Sequence, residues 1–327
     1  MKIAIVGCGA LGSYYGAKLC RAGQDVHFLL RSDYAAVCRN GVMVRGTGED
    51  FNVHPKCARL PAEIGESDLV IIGLKTTAND QFAKLLPPLV GKNTAVLTLQ
   101  NGLGNEDRLA QLFPAEQILG GLCFVCLNRE APGVVRHFDH GMIVLGEFQR
   151  PAQARTHELA TLLQNAGVKC HVTEDLARAH WEKLVWNIPF NGLGVASAAG
   201  YDAMLHQRST LNAQLQPCLT TDKLLGDVRW EKIVRELMLE VIAAAGALGF
   251  VIPTAFAEKQ IERTRTMGEY RPSTLVDFEA GRPLELASLF LEPLRQAQSA
   301  GVAVPRLEQL SRVLTQLDNS KLKMGGG

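Results

Sequence analysis

Two sets of residues in this chain of 327 have types and spacing suited to chemistry. The first is Gly7-Cys8-Gly9-Ala10-Leu11-Gly12, a GxGxxG pattern that ends an apolar run and opens a stretch of helical spacing. Gly7 permits a tight turn, Gly9 lets the backbone approach a diphosphate, and Gly12 lets a helix pack on a strand. Free N–H groups and the helix dipole then hold the anion, so these six residues are expected to bind a dinucleotide. The second set is Lys183, Asn187 and Asn191, which recur at intervals of four and so share one face of a helix. That face presents an ammonium followed by two amides. Leu184, Val185, Trp186, Ile188 and Phe190 take the other faces, and polar atoms in such an apolar setting need partners. Pro189 cannot donate to the carbonyl of Val185, which predicts a kink between the two asparagines.

About twenty residues beyond the glycine pattern, a NAD site places an acid that binds the ribose hydroxyls. Here the second strand ends in Leu29-Leu30-Arg31-Ser32. A carboxylate would repel a 2′-phosphate, whereas Arg31 pairs with one and stacks on adenine, so NADP(H) is expected. Asp33 is read with Ser32 as the cap of a helix that begins at Tyr34. The ends of two further strands carry Lys75 and Asn101, and both are placed beside the cofactor or the substrate.

These groups need a scaffold, and the first half supplies one. Short β-branched runs at 2–6, 26–30, 68–74, 94–99 and 118–125 alternate with helical patterns, which implies a parallel sheet covered by helices. Residues 130–133, with Pro132-Gly133 as a turn, and 142–146 read as antiparallel strands at the far edge. A helix at 155–166 and a strand at 169–172 complete this half. From residue 174 helical patterns dominate, at 177–191, 231–247, 255–265 and 286–300. The expected fold is an α/β, Rossmann-type, doubly wound sheet domain at 1–173 followed by an all-α second domain at 174–327. Residues 201–230, polar and with Pro217, are assigned no structure, and the terminal Gly325 to Gly327 are expected to fray.

Composition narrows the partners. Lys and Arg number 34 against 33 Asp and Glu, a formal charge of +1 that provides no long-range field for nucleic acid or anionic membrane. A small-molecule ligand is the expected partner. Eight scattered cysteines suit a reducing compartment, and residues 1–6 enter a strand-like run without a signal-peptide pattern, so a soluble, cytoplasmic protein is expected. Cys123 and Cys126 with His137 and His140 imitate a zinc pattern. The histidines are too close for a finger and the cysteines of a strand CxxC face opposite ways, so no metal is assigned.

The GCGALG loop, the Gln100-Asn101-Gly102 turn, KLVWNIPFN at 183–191, PSTLVD at 272–277 and Pro283-Leu284-Glu285, in that order, resemble the motifs of the ketopantoate reductase family. The resemblance covers most of the chain. It implies an NADPH-bearing Rossmann domain facing a helical domain, with the active site in the cleft. It also implies Lys183 as general acid, Glu285 on the substrate hydroxyl, and hydrogen bonds from Asn187, Asn191 and Ser273. The chemistry is consistent with those residue types. Hydride arriving at a ketone carbon leaves charge on the oxygen, and an ordinary lysine carries a proton at neutral pH to neutralise it. Glu285 accepts a bond from a hydroxyl but repels a carboxylate, which puts it at the hydroxylated end of a substrate.

The expected activity is NADPH-dependent reduction of a 2-oxo acid, with 2-dehydropantoate first among the candidates. A reductase of another 2-oxo acid, a β-hydroxyacid dehydrogenase and a non-enzymatic NADP(H) sensor are the alternatives. The QNG turn and the Ser273 to Glu285 motifs count against the second, and the retained Lys183 set counts against the third. His180, one helical turn before Lys183, is a rival proton donor, and homodimerisation through the helical half is an open expectation.

Overall fold

A computed structural model describes residues 1–205 and 215–324 of the chain. It divides into two compact units, Met1–Ala179 and His180–Gly327. The division falls inside a helix that starts at Leu176, whereas the sequence suggests a boundary near Thr173.

In the first unit the strands are β1 (Lys2–Val6), β2 (Asp25–Leu29), β3 (Val42–Gly46), β4 (Phe51–Val53), β5 (Lys56–Ala58), β6 (Leu69–Ile72), β7 (Ala95–Thr98), β8 (Ile118–Ala131), β9 (Val134–Glu147) and β10 (Cys170–Val172). Among the described residues these form one mixed sheet in the order β4-β3-β9-β8-β7-β6-β1-β2-β5, with β10 beside β9. From β5 to β8 all pairs are parallel. The β8–β9 hairpin turns at Pro132-Gly133 as the sequence suggests, but it is not the edge of the sheet. The first part of β9 pairs in parallel with β3, and β4 closes that side. Strands β3, β4 and β5 lie outside the sequence expectation because each is short and mixes exposed or half-buried positions with buried ones, so no long apolar run marks it.

Helices α1 (Ala10–Arg21), α2 (Tyr34–Asn40), α3 (Pro61–Ile64), α4 (Phe82–Leu85), α5 (Asn105–Ala110) and α6 (Ala154–Asn165) cover the sheet. The alternation of β1 shows why both faces are covered. Ile3 and Ile5 enter a core with Tyr15 and Leu19 of α1 and Leu159 of α6, while Ala4 and Val6 enter a second core with Phe82, Leu86 and Leu109. Each such buried aliphatic side chain contributes roughly 1.5–3 kcal/mol.

One buried acid fixes the exit of β9. Glu147, 1% exposed, accepts hydrogen bonds from Arg150, Arg155 and, at 2.6 Å, the Thr156 hydroxyl. Burial would raise its pKa, but the bonds from Arg155, Thr156 and Arg150 outweigh burial and hold it below the usual carboxylate value.

The second unit is helical among its described residues. It holds most of α7 (Leu176–Ala196), then α8 (Thr221–Gly226), α9 (Val228–Ala247), α10 (Ala255–Arg265), α11 (Ser273–Glu279), α12 (Glu292–Ser299) and α13 (Pro305–Met324). Ile233, Val234, Leu237, Met238 and Val241 make one buried stripe of α9, which packs against α8, α10, α12 and α13. The helix expected at 286–300 contains a π-helical turn, Ala287–Leu291, ahead of α12. Pro293 has no N–H for the carbonyl of Leu289, which favours a wider turn there. Within the unassigned stretch 201–230, Tyr201–Met204 forms a 3₁₀ turn and α8 follows; 206–214 lie outside the described residues, as do Gly325 to Gly327.

Candidate functional site

The glycine pattern occupies the turn from β1 into α1. Gly7 has φ +97°, and a Cβ on it would lie 2.3 Å from the Leu74 nitrogen. A Cβ on Gly12 would lie 2.2 Å from the Gly7 oxygen, and one on Gly73 would lie 3.0 Å from the Gly12 Cα. Three backbones therefore meet where side chains do not fit. Gly9 differs, for it is exposed and a Cβ there would meet nothing within 4 Å. It stands at the N-cap of α1 without a side-chain cap, and the first turn carries no acid. The leading N–H groups of a helix have no intrahelical acceptor, so this end combines open space, amide donors and dipole, which fits a diphosphate. Ala10 and Leu11 pack partly on the first core. The Cys8 thiol lies 3.5 Å from the carbonyl oxygens of Ile5 and Leu29, and burial pushes its pKa up, away from the thiolate that a nucleophile requires.

The register aligns the remaining first-unit residues. Val6 pairs with Leu29 on one side and with Ile72 on the other, and Ile72 pairs with Thr98. Arg31, the glycine turn, Lys75 and Asn101 thus follow the carboxyl ends of four adjacent parallel strands, where strand order reverses about β1. Arg31 and Lys75 are exposed and Asn101 is half-buried. Arg31 makes no hydrogen bond or ion pair with another described residue.

Asp33 requires a correction. Helix α2 does begin at Tyr34, but the Asp33 side chain makes no cap bond, because its backbone is helical (φ −87°, ψ 0°) and not extended. Its carboxylate, 6% exposed, is gripped by Arg129 of β8 through Nε at 2.9 Å and through Nη2, and it also accepts from the Ser32 hydroxyl at 3.0 Å.

Beneath Lys75 and Asn101 runs a buried chain of amides absent from the sequence expectation. Gln100 donates to the Leu74 carbonyl at 3.0 Å and to Asn79 at 2.7 Å, and it accepts from Thr98. Asn79 donates to Asn105 at 2.9 Å, and Asn105 donates to the Asn101 carbonyl at 3.1 Å. This chain ties the end of β6 to the end of β7. Gln100 had a visible signal as the first residue of the QNG turn; Asn79 and Asn105 had none. Gly73, also missed, was legible as the glycine that ends the apolar run 69–72.

In the second unit α7 carries Lys183, Asn187 and Asn191 on one face. It remains a single helix with Pro189 inside it. Lys183 is half-buried, while Asn187 and Asn191 are 6% and 4% exposed. The amides differ in their partners. The Asn191 oxygen accepts from the Thr274 N–H at 3.1 Å and the Ser273 hydroxyl at 3.4 Å, so it satisfies the start of α11. The Asn187 side chain makes no hydrogen bond to another described residue. Pro272 holds the N-cap position of α11, with Ser273 the first residue of the helix, and Glu285 is buried just before the next helical turn. His180, also buried, sits one turn before Lys183.

Both His137 ring nitrogens are engaged, Nδ1 with the Thr47 hydroxyl at 2.7 Å and Nε2 with the carbonyls of Asp139 and His140. Burial lowers its pKa.

The family described as ketopantoate reductase PanE/ApbA matches residues 3–150, and its C-terminal counterpart matches 211–318. A 2-dehydropantoate 2-reductase of a Nostoc species is 40% identical over 327 residues, covering 97% of this chain and 95% of its own. The crystal structure of 2-dehydropantoate 2-reductase from Geobacter metallireducens has a TM-score of 0.88 at 48% identity, covering 97% of this chain and 99% of its own. That from Methylococcus capsulatus gives 0.87 at 31% identity, with 98% of both chains covered. Both halves match in order and the relatives span nearly the whole length, so this oxidoreductase chain belongs to the ketopantoate reductase family.

Proposed function

We propose that the protein reduces the ketone of 2-dehydropantoate with NADPH, giving the D-pantoate from which pantothenate and coenzyme A are made. The observation that carries this reading is the α7 face, where a half-buried ammonium, an unbonded buried amide and an amide braced on Ser273 and Thr274 stand in line. The names of the relatives at 40% and 48% identity support the substrate.

Gly7 to Gly12 would hold the diphosphate, with Arg31 on the 2′-phosphate and Lys75 and Asn101 toward the nicotinamide half. NADPH, when bound, supplies the hydride. Lys183 donates its proton to the ketone oxygen as charge develops there. Asn187 and the Ser273 hydroxyl orient the substrate's polar groups, joined by Nδ2 of Asn191, whose Oδ1 is already occupied. Glu285 accepts the bond of the substrate hydroxyl.

NADPH oxidation across a panel of 2-oxo acids tests the substrate; turnover of other members with none of 2-dehydropantoate rejects it. Lys183→Ala is expected to lower kcat by about 10²–10⁴-fold, while His180→Asn changes it only a few-fold. The reverse pattern would make His180 the acid.

A further inference from the structure

The Asp33–Arg129 pair joins residues 96 positions apart and stands next to Arg31, the residue read as the 2′-phosphate ligand. Asp33 follows the carboxyl end of β2, where a NAD-type site keeps an acid for the ribose hydroxyls. It also follows the strand that flanks the glycine turn, since Leu29 pairs with Val6 immediately before Gly7 and the Cys8 sulfur is 3.5 Å from the Leu29 oxygen. An acid in this place, left to itself, repels a 2′-phosphate and receives a ribose hydroxyl. Here it does neither freely. Oδ1 accepts from Ser32 and Arg129 Nη2, and Oδ2 accepts from Arg129 Nε, so both oxygens are occupied by a bidentate fork. The carboxylate side chain is 8% exposed, whereas the guanidinium side chain is 41% exposed, and its Nη1 makes no hydrogen bond to another described residue.

We propose that Arg129 is a nucleotide-specificity residue that acts through Asp33: by neutralising and occupying this carboxylate it converts an acid-bearing strand end into one that accepts a 2′-phosphate. The pair thereby leaves Arg31 facing the nucleotide without a competing charge. The proposal rests on the reading of NADPH as the cofactor and adds a residue whose contribution arrives from β8, outside the strand-turn-helix pattern.

The test is calorimetric titration of the full chain with 2′,5′-ADP and with 5′-AMP, whose affinity ratio isolates the phosphate. Wild type should favour 2′,5′-ADP. Arg129→Ala should lower the ratio about tenfold by uncovering the negative charge, and Arg129→Gln, which keeps a donor but no charge, should lower it by less. Adding Asp33→Asn to Arg129→Ala should return the ratio to within about threefold of wild type, a rescue that general loosening of the fold would not produce. A ratio unmoved by Arg129→Ala overturns the proposal, as does a double variant that stays low, which would mean that Arg129 touches the phosphate itself. If Arg129→Ala does not fold, Arg129→Gln alone and paired with Asp33→Asn gives the same reading. A wild type without preference for 2′,5′-ADP rejects NADPH as the cofactor and is distinguishable from either failure.

Discussion

The glycine turn of the first unit and the polar face of α7 in the second are both patterns of spacing, yet the structure treats them differently. In the turn, backbone atoms within 3.0 Å decide three of four glycines, Gly7, Gly12 and Gly73, while Gly9 alone borders open space. On α7, three residues equivalent by spacing are made unequal by a helix more than 80 positions away, which engages Asn191 and leaves Asn187 unbonded. Glycine spacing thus records a packing constraint directly. Side-chain spacing records only which residues share a face.

The largest effect separates the glycines from one another. Gly7→Ala forces a Cβ onto the Leu74 backbone at positive φ, a cost of roughly 2–6 kcal/mol, and is expected to lower Tm by about 10 °C and abolish dinucleotide binding. Gly9→Ala should leave Tm within about 2 °C while weakening that binding, because its Cβ enters the open space that the proposed diphosphate would fill. Equal Tm values for the two variants would break the contrast.

A middle-sized effect asks whether side chains can constrain backbone as glycines do. Gln100→Ala leaves the Leu74 carbonyl and Asn79 without their partner and is expected to cost about 1–3 kcal/mol. Urea denaturation reads this directly; a loss below the error of the midpoint would mean that the β6 and β7 ends hold without the amide chain.

The smallest stability effect divides α7. Asn191→Ala removes the acceptor for the start of α11 and should cost about 1 kcal/mol. Asn187→Ala should leave Tm unchanged and raise KM for the 2-oxo acid. Parallel melting and steady-state assays decide it, and a Tm loss confined to Asn187→Ala would invert the assignment.

Much of the scaffold was legible. The runs that became β1 and β6 hold four consecutive apolar residues, and those that became β2 and β7 are apolar except at Asp25, His27 and Thr98, as burial on both faces of a doubly covered sheet favours. Helix α13 carried a signal that the expectation of four helices left unused, with Pro305 at its start and Leu307, Leu310, Val313, Leu314 and Leu317 at helical spacing. Other features had no local signature. Asp33 looked like a cap because Ser-Asp before a helix ordinarily is one, and only the folding of β8 brings Arg129 to it. The cage around Glu147 depends likewise on how β9 meets α6.

The amino-acid order by itself determined the turn at Gly7 to Gly12, the alternation of β1 and the shared face of Lys183, Asn187 and Asn191, because each follows from backbone period and steric size over a few residues. Only the tertiary structure decided which acid is neutralised, which amide is already bonded and which strands close the sheet. Hydrogen bonds and ion pairs act over about 3 Å, and the fold alone sets which distant residues come that near.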